Sequence, residues 1–301
     1  MKIFDCTTYH NEELILETRL NILDKYVDKF VICEARYTHA GKEKKLNFDI
    51  KKFSNFKKKI IYLVQEDEPD DLVKINENLS IEEKYPLIRL NSIKRISFQR
   101  NKLKEGLQDA NENDLIFYSD NDEIPNFSQV NLEKINSKLI FFEQKLFYFK
   151  FNLLLDRIFW YGTRGLRKKN LKSFQELREV KPKKYPFYRI DTFFKNNKFI
   201  DVKIIKNGGW HFTRIISPEE IHERELNTEH SDEYIQSGKN IERIKDLIKR
   251  RVIDHDHLAD KKDYKFKKEF NLKLFPTNLL PLYIQQNMSK YKDHIDSDDK
   301  N

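Results

Sequence analysis

The segment YSDNDEIP, residues 118–125, places Asp120, Asp122 and Glu123 within four positions, directly after the apolar run Leu115-Ile116-Phe117-Tyr118. Like charges this close repel unless something positive stands among them. In an extended segment alternate side chains share a face, so Asp120 and Asp122 point the same way. In open α/β sheets ligands bind beyond the carboxyl ends of the strands, which is where this cluster falls. Carboxylate oxygens are hard donors suited to Mg²⁺ or Mn²⁺, and one or two carboxylates with substrate phosphates are the usual means of holding such an ion. The spacing predicts a divalent metal carrying a diphosphate, with Asp120 and Asp122 as ligands. The plain alternative is a solvated acidic turn closed by Pro125. A calcium loop of the EF-hand type fits worse, because its sixth position needs glycine.

Two further stretches carry candidate chemistry. In NSIKRISFQRNKLKEGL, Ile93, Ile96, Leu103 and Leu107 fall on one helical stripe, with Arg100 in its middle. A core-facing arginine needs an anionic partner, either the acid turn or a bound phosphate. Gln99 and Asn101 flank it and can hydrogen-bond a sugar or base. The chain has only 7 glycines, yet two stand together in NGGWHFT, residues 207–213. That expenditure predicts a sharp turn or a close backbone approach at Gly208-Gly209. It brings His211 forward as a third metal or phosphate ligand and Trp210 as a flat face for a sugar. Gly162 and Gly165 in WYGTRGLR set Arg164 and Arg167 near a loop.

These residues need elements to position them. Apolar runs at residues 2–6, 30–34, 60–64 and 115–118 read as strands, and they alternate with helical patterns. Leu16, Leu20, Leu23 and Val27 line one helical face, and a long helix is predicted from about Pro86 to Asp109 after an irregular acidic stretch at 66–85. That alternation predicts an α/β fold with a mostly parallel central sheet flanked by helices. The aromatic-rich stretch at 138–162 reads as strands of a more mixed sheet. Ser217, Pro218 and Glu220 form a helix-start signal, a capping box with proline at the first position. Residues 240–252 read as an amphipathic helix. We expect a main domain over 1–260 and a helical C-terminal extension over 261–301 with a disordered tail.

Composition sets outer limits. The 301 residues carry a formal net charge of +8, with 39% hydrophobic and 35% charged residues. Lysines are interleaved with acids, so no single-sign patch and no nucleic-acid partner is expected, although a peripheral contact with an anionic membrane is compatible with the charge. The two cysteines, Cys6 and Cys33, lie in or beside strand-like runs, give no metal spacing, and read as small core residues. No apolar run of about 18 residues exists, and the N-terminus lacks a signal-peptide apolar region. A cytoplasmic location is expected.

The stretch YHNEELILETRLNILDKYVDKFVICEARYTHAGKEKKL, then QRN, SDNDEIP, GGWHF with SPEEI, and LPLYIQQN occur in an order that resembles glycosyltransferase family 17. That family is similar to the β-1,4-mannosyl-glycoprotein 4-β-N-acetylglucosaminyltransferases, and the resemblance covers roughly residues 1–290. It implies a GT-A-like nucleotide-sugar-binding fold, a UDP-GlcNAc donor, Mn²⁺ or Mg²⁺, and inversion at the anomeric carbon. Its Asp-x-Asp maps onto Asp120 and Asp122, with Glu123 beside them, and its Gly-Trp-His onto Gly209, Trp210 and His211. Glu34 matches an acid after the second strand, and Tyr9 opens the first matching stretch. The resemblance therefore counts Asp122 and Glu123 as catalytic, Asp120, Asp122 and His211 as metal ligands, and Tyr9, Glu34, Arg100, Asn101, Asp120 and Trp210 as donor-binding. The expected reaction is metal-dependent transfer of N-acetylglucosamine to a glycan or lipid-linked acceptor. Animal members carry an N-terminal membrane anchor that is not seen here, which leaves the acceptor open. A metal-dependent nuclease or phosphatase and a non-enzymatic basic binding protein are the competing readings.

Overall fold

The computed structural model describes residues 1–183, 201–258 and 268–297. In chain order the elements are β1 (Ile3–Tyr9), α1 (Glu13–Leu23), β2 (Lys29–Ala35), β3 (Ile60–Gln65), α2 (Ile81–Lys102), β4 (Leu115–Tyr118), β5 (Glu123–Pro125), β6 (Leu139–Tyr148), β7 (Leu153–Trp160), β8 (Arg164–Arg167) and α3 (Phe174–Glu179). There follow β9 (Val202–Thr213), α4 (Pro218–Leu226), α5 (Ser231–Gln236), α6 (Ile241–Arg250), β10 (Val252–Ile253), β11 (Phe270–Asn271), β12 (Lys273–Leu274) and α7 (Leu282–Gln286).

A ten-stranded sheet runs β12-β7-β6-β8-β4-β1-β2-β3, with β9 beside β6 and β5 beside β9. The long ladders β1–β2, β2–β3 and β6–β9 are parallel, as is β1–β4, while β7, β8, β5 and β12 pair antiparallel. Strands buried on both faces read as unbroken apolar runs, and β2 illustrates it. Phe30 and Ile32 pack with Leu16 and Leu20 of α1 on one face. Val31 and Cys33 pack with Leu103 and Leu107 on the other. Cys6 and Cys33 are buried and free, as their apolar surroundings predict. A third cluster joins Leu146, Leu153 and Leu155 of the sheet to Ile221 of α4 and Ile244 of α6. The capping box expected at Ser217 and Glu220 is present. No helix among the described residues is long and apolar enough to cross a membrane.

The helix before the acid turn departs from expectation at both ends. α2 begins five residues early, at Ile81 behind a capping box of Ser80 and Glu83, with Pro86 inside it, and it ends at Lys102, short of Asp109. Local capping satisfies the first N–H groups, which outweighs the single bond that Pro86 removes. Its apolar stripe is also narrower than predicted: Ile96 is buried, but Ile93 is 42% exposed. Gly208-Gly209 does not make a sharp turn. β9 runs through it as a bulge against β6, where the register shifts between Phe142 and Gln144. Gly209 adopts φ +142°, and a Cβ there would stand 2.2 Å from the Ile124 carbonyl oxygen.

Candidate active site

The acid turn sits where β4 leaves the sheet, between β1 and β8. Its backbone is held from beneath by Arg19 of α1, which is fully buried. Arg19 Nε and Nη2 donate to the two carboxylate oxygens of Asp5 at 2.7 and 2.6 Å, and Nη2 also donates to Ser119 Oγ at 2.6 Å. Its Nη1 donates to the carbonyl oxygens of Asp120, Asn121 and Glu123 at 3.3, 3.3 and 3.0 Å. The turn closes on itself as Asp120 N–H donates to Glu123 Oε2 at 2.9 Å. A planar guanidinium with five donors suits this role where lysine would not. The signal in the sequence was Arg19 itself, standing between Leu16, Leu20 and Leu23 on the apolar face of α1.

The positive groups among the acids come first from the protein. Arg178 of α3, absent from the expected site, donates to Asp120 Oδ2 at 2.8 Å and to both oxygens of Glu123 at 2.8 and 2.9 Å. Arg100 donates to the Tyr118 hydroxyl at 2.8 Å and stands 3.5 Å from Asp120 Oδ1. The Tyr118 hydroxyl in turn donates to Asp120 Oδ1 at 2.9 Å. Burial favours the neutral acid at Asp120, but Arg178, Arg100 and that hydroxyl together hold its carboxyl far below the ordinary range. Glu123 is 1% exposed, and the indole N–H of Trp160 donates to its Oε1 at 2.5 Å. Gly162 makes room for it, since a Cβ there would meet the Glu123 carboxyl carbon at 2.4 Å.

Asp122 turns the other way and faces His211, with Oδ2 3.4 Å from Nε2. β5 and β9 bring them together, since Glu123 pairs with His211 and Phe212 N–H donates to the Asp122 carbonyl oxygen at 2.8 Å. Burial disfavours charge on both. Their mutual attraction outweighs it, lowering the acid's pKa and raising that of the imidazole. His211 Nδ1 is buried without a hydrogen-bond partner. Among the described residues no group of three or more His, Cys, Asp or Glu can hold a metal. A divalent ion at this turn would therefore rest on one carboxylate and one imidazole, and a 3.4 Å gap between them is spanned by bonds of about 2.0–2.2 Å. Asp120 is committed to guanidinium groups instead of being free for a metal.

Asp120, Asp122, Glu123 and His211 line a cleft at the carboxyl ends of β1, β2 and β4, together with Tyr9 and Arg100. His39, Trp160 and Arg224 also line it and were not read from the sequence. Arg224 of α4 pairs with Glu12 at 3.0 Å. Three expected donor-binding residues stand elsewhere. Glu34 is fully buried, and its carboxylate is used up by Lys44, the backbone N–H of Asn47 and Phe48, and the Tyr62 hydroxyl. It shapes the loop whose Lys44 reaches the cleft wall. Asn101 accepts a hydrogen bond at 3.1 Å from Gln175 N–H, at the start of α3. Trp210 alternates with His211 along β9, so it packs on the core with Phe212, ring planes 4° apart. Of the glycine-bracketed arginines, Arg164 is buried in β8, its pKa lowered to about 9 by burial and then by Arg178. Arg167 anchors the carbonyl oxygens of Asn113 and Ile135.

Residues 1–180 match the model of a family described as glycosyltransferase family 17. No curated protein matches the chain. Among solved structures, HddC from Yersinia pseudotuberculosis is similar at 9% identity, with 69% of this chain and 91% of that chain covered and a TM-score of 0.31. The inositol-1-phosphate CTP transferase from T. maritima is similar at 11% identity, with 81% and 96% covered and a TM-score of 0.32.

Proposed function

Since the chain belongs to glycosyltransferase family 17, and is therefore an enzyme of glycosyl transfer, we propose that it takes its sugar from a nucleotide diphosphate donor, UDP-GlcNAc first among them. The transfer inverts the anomeric carbon and depends on Mn²⁺ or Mg²⁺ held by Asp122 and His211 in a GT-A-like site. Family membership sets aside the readings as a nuclease, a phosphatase or a non-enzymatic basic protein. The observation that carries the proposal is the Asp122–His211 pair, facing across a cleft at the carboxyl ends of parallel strands.

A divalent ion there supplies positive charge against the charge that grows on the departing diphosphate. The chain's own residues do the rest. Arg224 and Arg100 add fixed positive charge to the wall, where preorganised charge favours a developing anion. Arg19 fixes the carbonyls of the turn, so the direction of Asp122 is set before any ligand arrives. Tyr9 and Gln99 line the end of the cleft formed by β1, β2 and α2, on the side available to the nucleotide. The acceptor is a glycan or lipid-linked sugar.

The test is calorimetry of UDP and of UDP-GlcNAc, UDP-Glc, UDP-Gal and GDP-Man, each with Mn²⁺ and with EDTA. The expected result is tight binding of a UDP-sugar only with the metal, lost in Asp122→Asn. Equal UDP affinity with Mn²⁺ and with EDTA would overturn the metal-dependent reading.

A further inference from the structure

The donor cleft opens into a second chamber. The two share Arg100, Asp120, Trp160 and His211 in their walls. The second chamber extends under α4, α5 and α6 and ends on Tyr148, Ile244, Leu247 and Ile253. Its wall is rich in charged side chains, yet each is already matched. Arg214 pairs with Glu225 at 2.6 Å and Arg224 with Glu12 at 3.0 Å. Lys239 pairs with Asp254, Glu233 with Arg89, and Glu229 with His230. Arg100 and Asp120 belong to the acid-turn network. Between these pairs the wall carries aromatic and apolar surface and hydroxyl groups. Among these is Tyr148, whose hydroxyl is bonded to His257 Nε2.

Trp160 stands at the junction. Its indole N–H is tied to Glu123, which Arg178 holds in turn, so the plane of the ring is fixed by a buried network. His211 lies 5.0 Å away at a 42° tilt and His257 5.9 Å away nearly edge-on. A rigid aromatic beside the Asp122–His211 pair offers broad apolar contact at low entropic cost. The apolar C–H face of a pyranose ring matches such a surface.

We propose that Trp160 is the platform for the acceptor's sugar ring, and that the charge-matched second chamber selects an uncharged saccharide over one bearing phosphate. A phosphate passing the junction would lose its hydration and meet, among the described residues of the inner wall, cations that already have a carboxylate beside them. The selectivity follows from the inner wall: its cations Arg214 and Lys239 each stand beside a carboxylate that repels an incoming anion, and Glu229 and Glu233 add to that repulsion, whereas hydroxyl groups carry no charge to be repelled. This inference rests on the glycosyl-transfer reading above, because it treats the second chamber as the acceptor side.

The experiment uses the full chain with Trp210→Phe, which leaves Trp160 as the only indole, with UDP and Mn²⁺ present. Its fluorescence is titrated with N,N′-diacetylchitobiose, mannobiose and lactose, and with glucose 6-phosphate and mannose 6-phosphate. A saturable signal is expected with at least one neutral disaccharide, and sugar phosphates should bind at least tenfold more weakly at low ionic strength. Trp160→Leu should abolish the binding, followed by saturation-transfer NMR, and Trp160→Phe should keep part of it. The same NMR measurement on the unsubstituted chain serves if Trp210→Phe does not fold. Phosphorylated sugars binding more tightly, or no neutral disaccharide binding while the enzyme hydrolyses its UDP-sugar, would overturn the proposal. Failure of UDP-sugar hydrolysis, with saccharides still perturbing Trp160, would instead count against the transfer reading and leave the platform standing.

Discussion

Arg178 is the strongest test of how the acid turn is neutralised. Replacing it by methionine keeps most of the side chain's volume and removes its charge. Two carboxylates lose a partner, and they do not weigh equally. The Glu123 side chain is 1% exposed, so it loses its ionic partner in a water-excluded position, whereas that of Asp120 is 33% exposed and partly screened by solvent. Removing one partner of a buried pair costs about 3–5 kcal/mol, and we assign nearly all of it to Glu123. That does not exceed a typical stability of about 5–15 kcal/mol, so Arg178→Met should still fold. Guanidinium unfolding at pH 7 should show the loss, with Arg178→Lys intermediate because an ammonium cannot serve both acids with fork geometry. The pH dependence carries a sign. The Asp120 carboxyl is held far below its ordinary value in the fold. Its contribution is therefore complete above an unfolded value of about 3.9 and fades as pH falls below it. Only the smaller share of the gap, the one due to Asp120, should fade below about pH 4. A penalty under about 1 kcal/mol at pH 7 would refute the argument that Arg178 is what makes the acid cluster tolerable.

Three other outcomes follow from the same geometry. Asp122→Asn should abolish glycosyl transfer while the unfolding midpoint stays within a few degrees, and a variant that keeps full turnover would remove Asp122 from the site. Gly162→Ala must push a Cβ to within 2.4 Å of the Glu123 carboxyl carbon and 2.6 Å of Gln144 Oε1. Overpacking of this kind costs about 1–3 kcal/mol, and denaturation showing no change would contradict the close approach. The His39 imidazole is held at about 4, by burial first and then by charge on His10 and Arg100. Because the folded value is depressed, the protein should lose stability as pH falls from about 6.5 towards 4, and His39→Asn should flatten that limb. An NMR titration placing His39 near 6.5 would show the reasoning wrong.

Much of this molecule is written locally. The runs IFDC, FVICE, IIYLV and LIFY become strands because apolar side chains alternate over both faces of a covered sheet, and each strand is found within a few residues of its expected place. The start of α4 is legible for the same reason, since a capping box needs only neighbours in the chain. The acid turn is legible as a site because carboxylates at a strand end are a local oddity. The identities of its partners were not local. Arg19, Arg178, Trp160 and His211 reach it from four different elements, and only the strand order β6-β8-β4-β1 brings those elements together. The choice between the two tryptophans shows the physical reason most plainly. Trp210 adjoins the histidine in sequence and looked the better platform. A strand sends neighbouring residues to opposite faces, and a bulge at Gly208-Gly209 resets which face is which. His211 then turns into the cleft and Trp210 into the core, while Trp160, fifty residues earlier, takes the place beside the acids. Sequence alone determined the elements and the presence of a charged turn. The tertiary structure decided which charges neutralise it and which ring stands over it, because those pairings depend on register and sheet order.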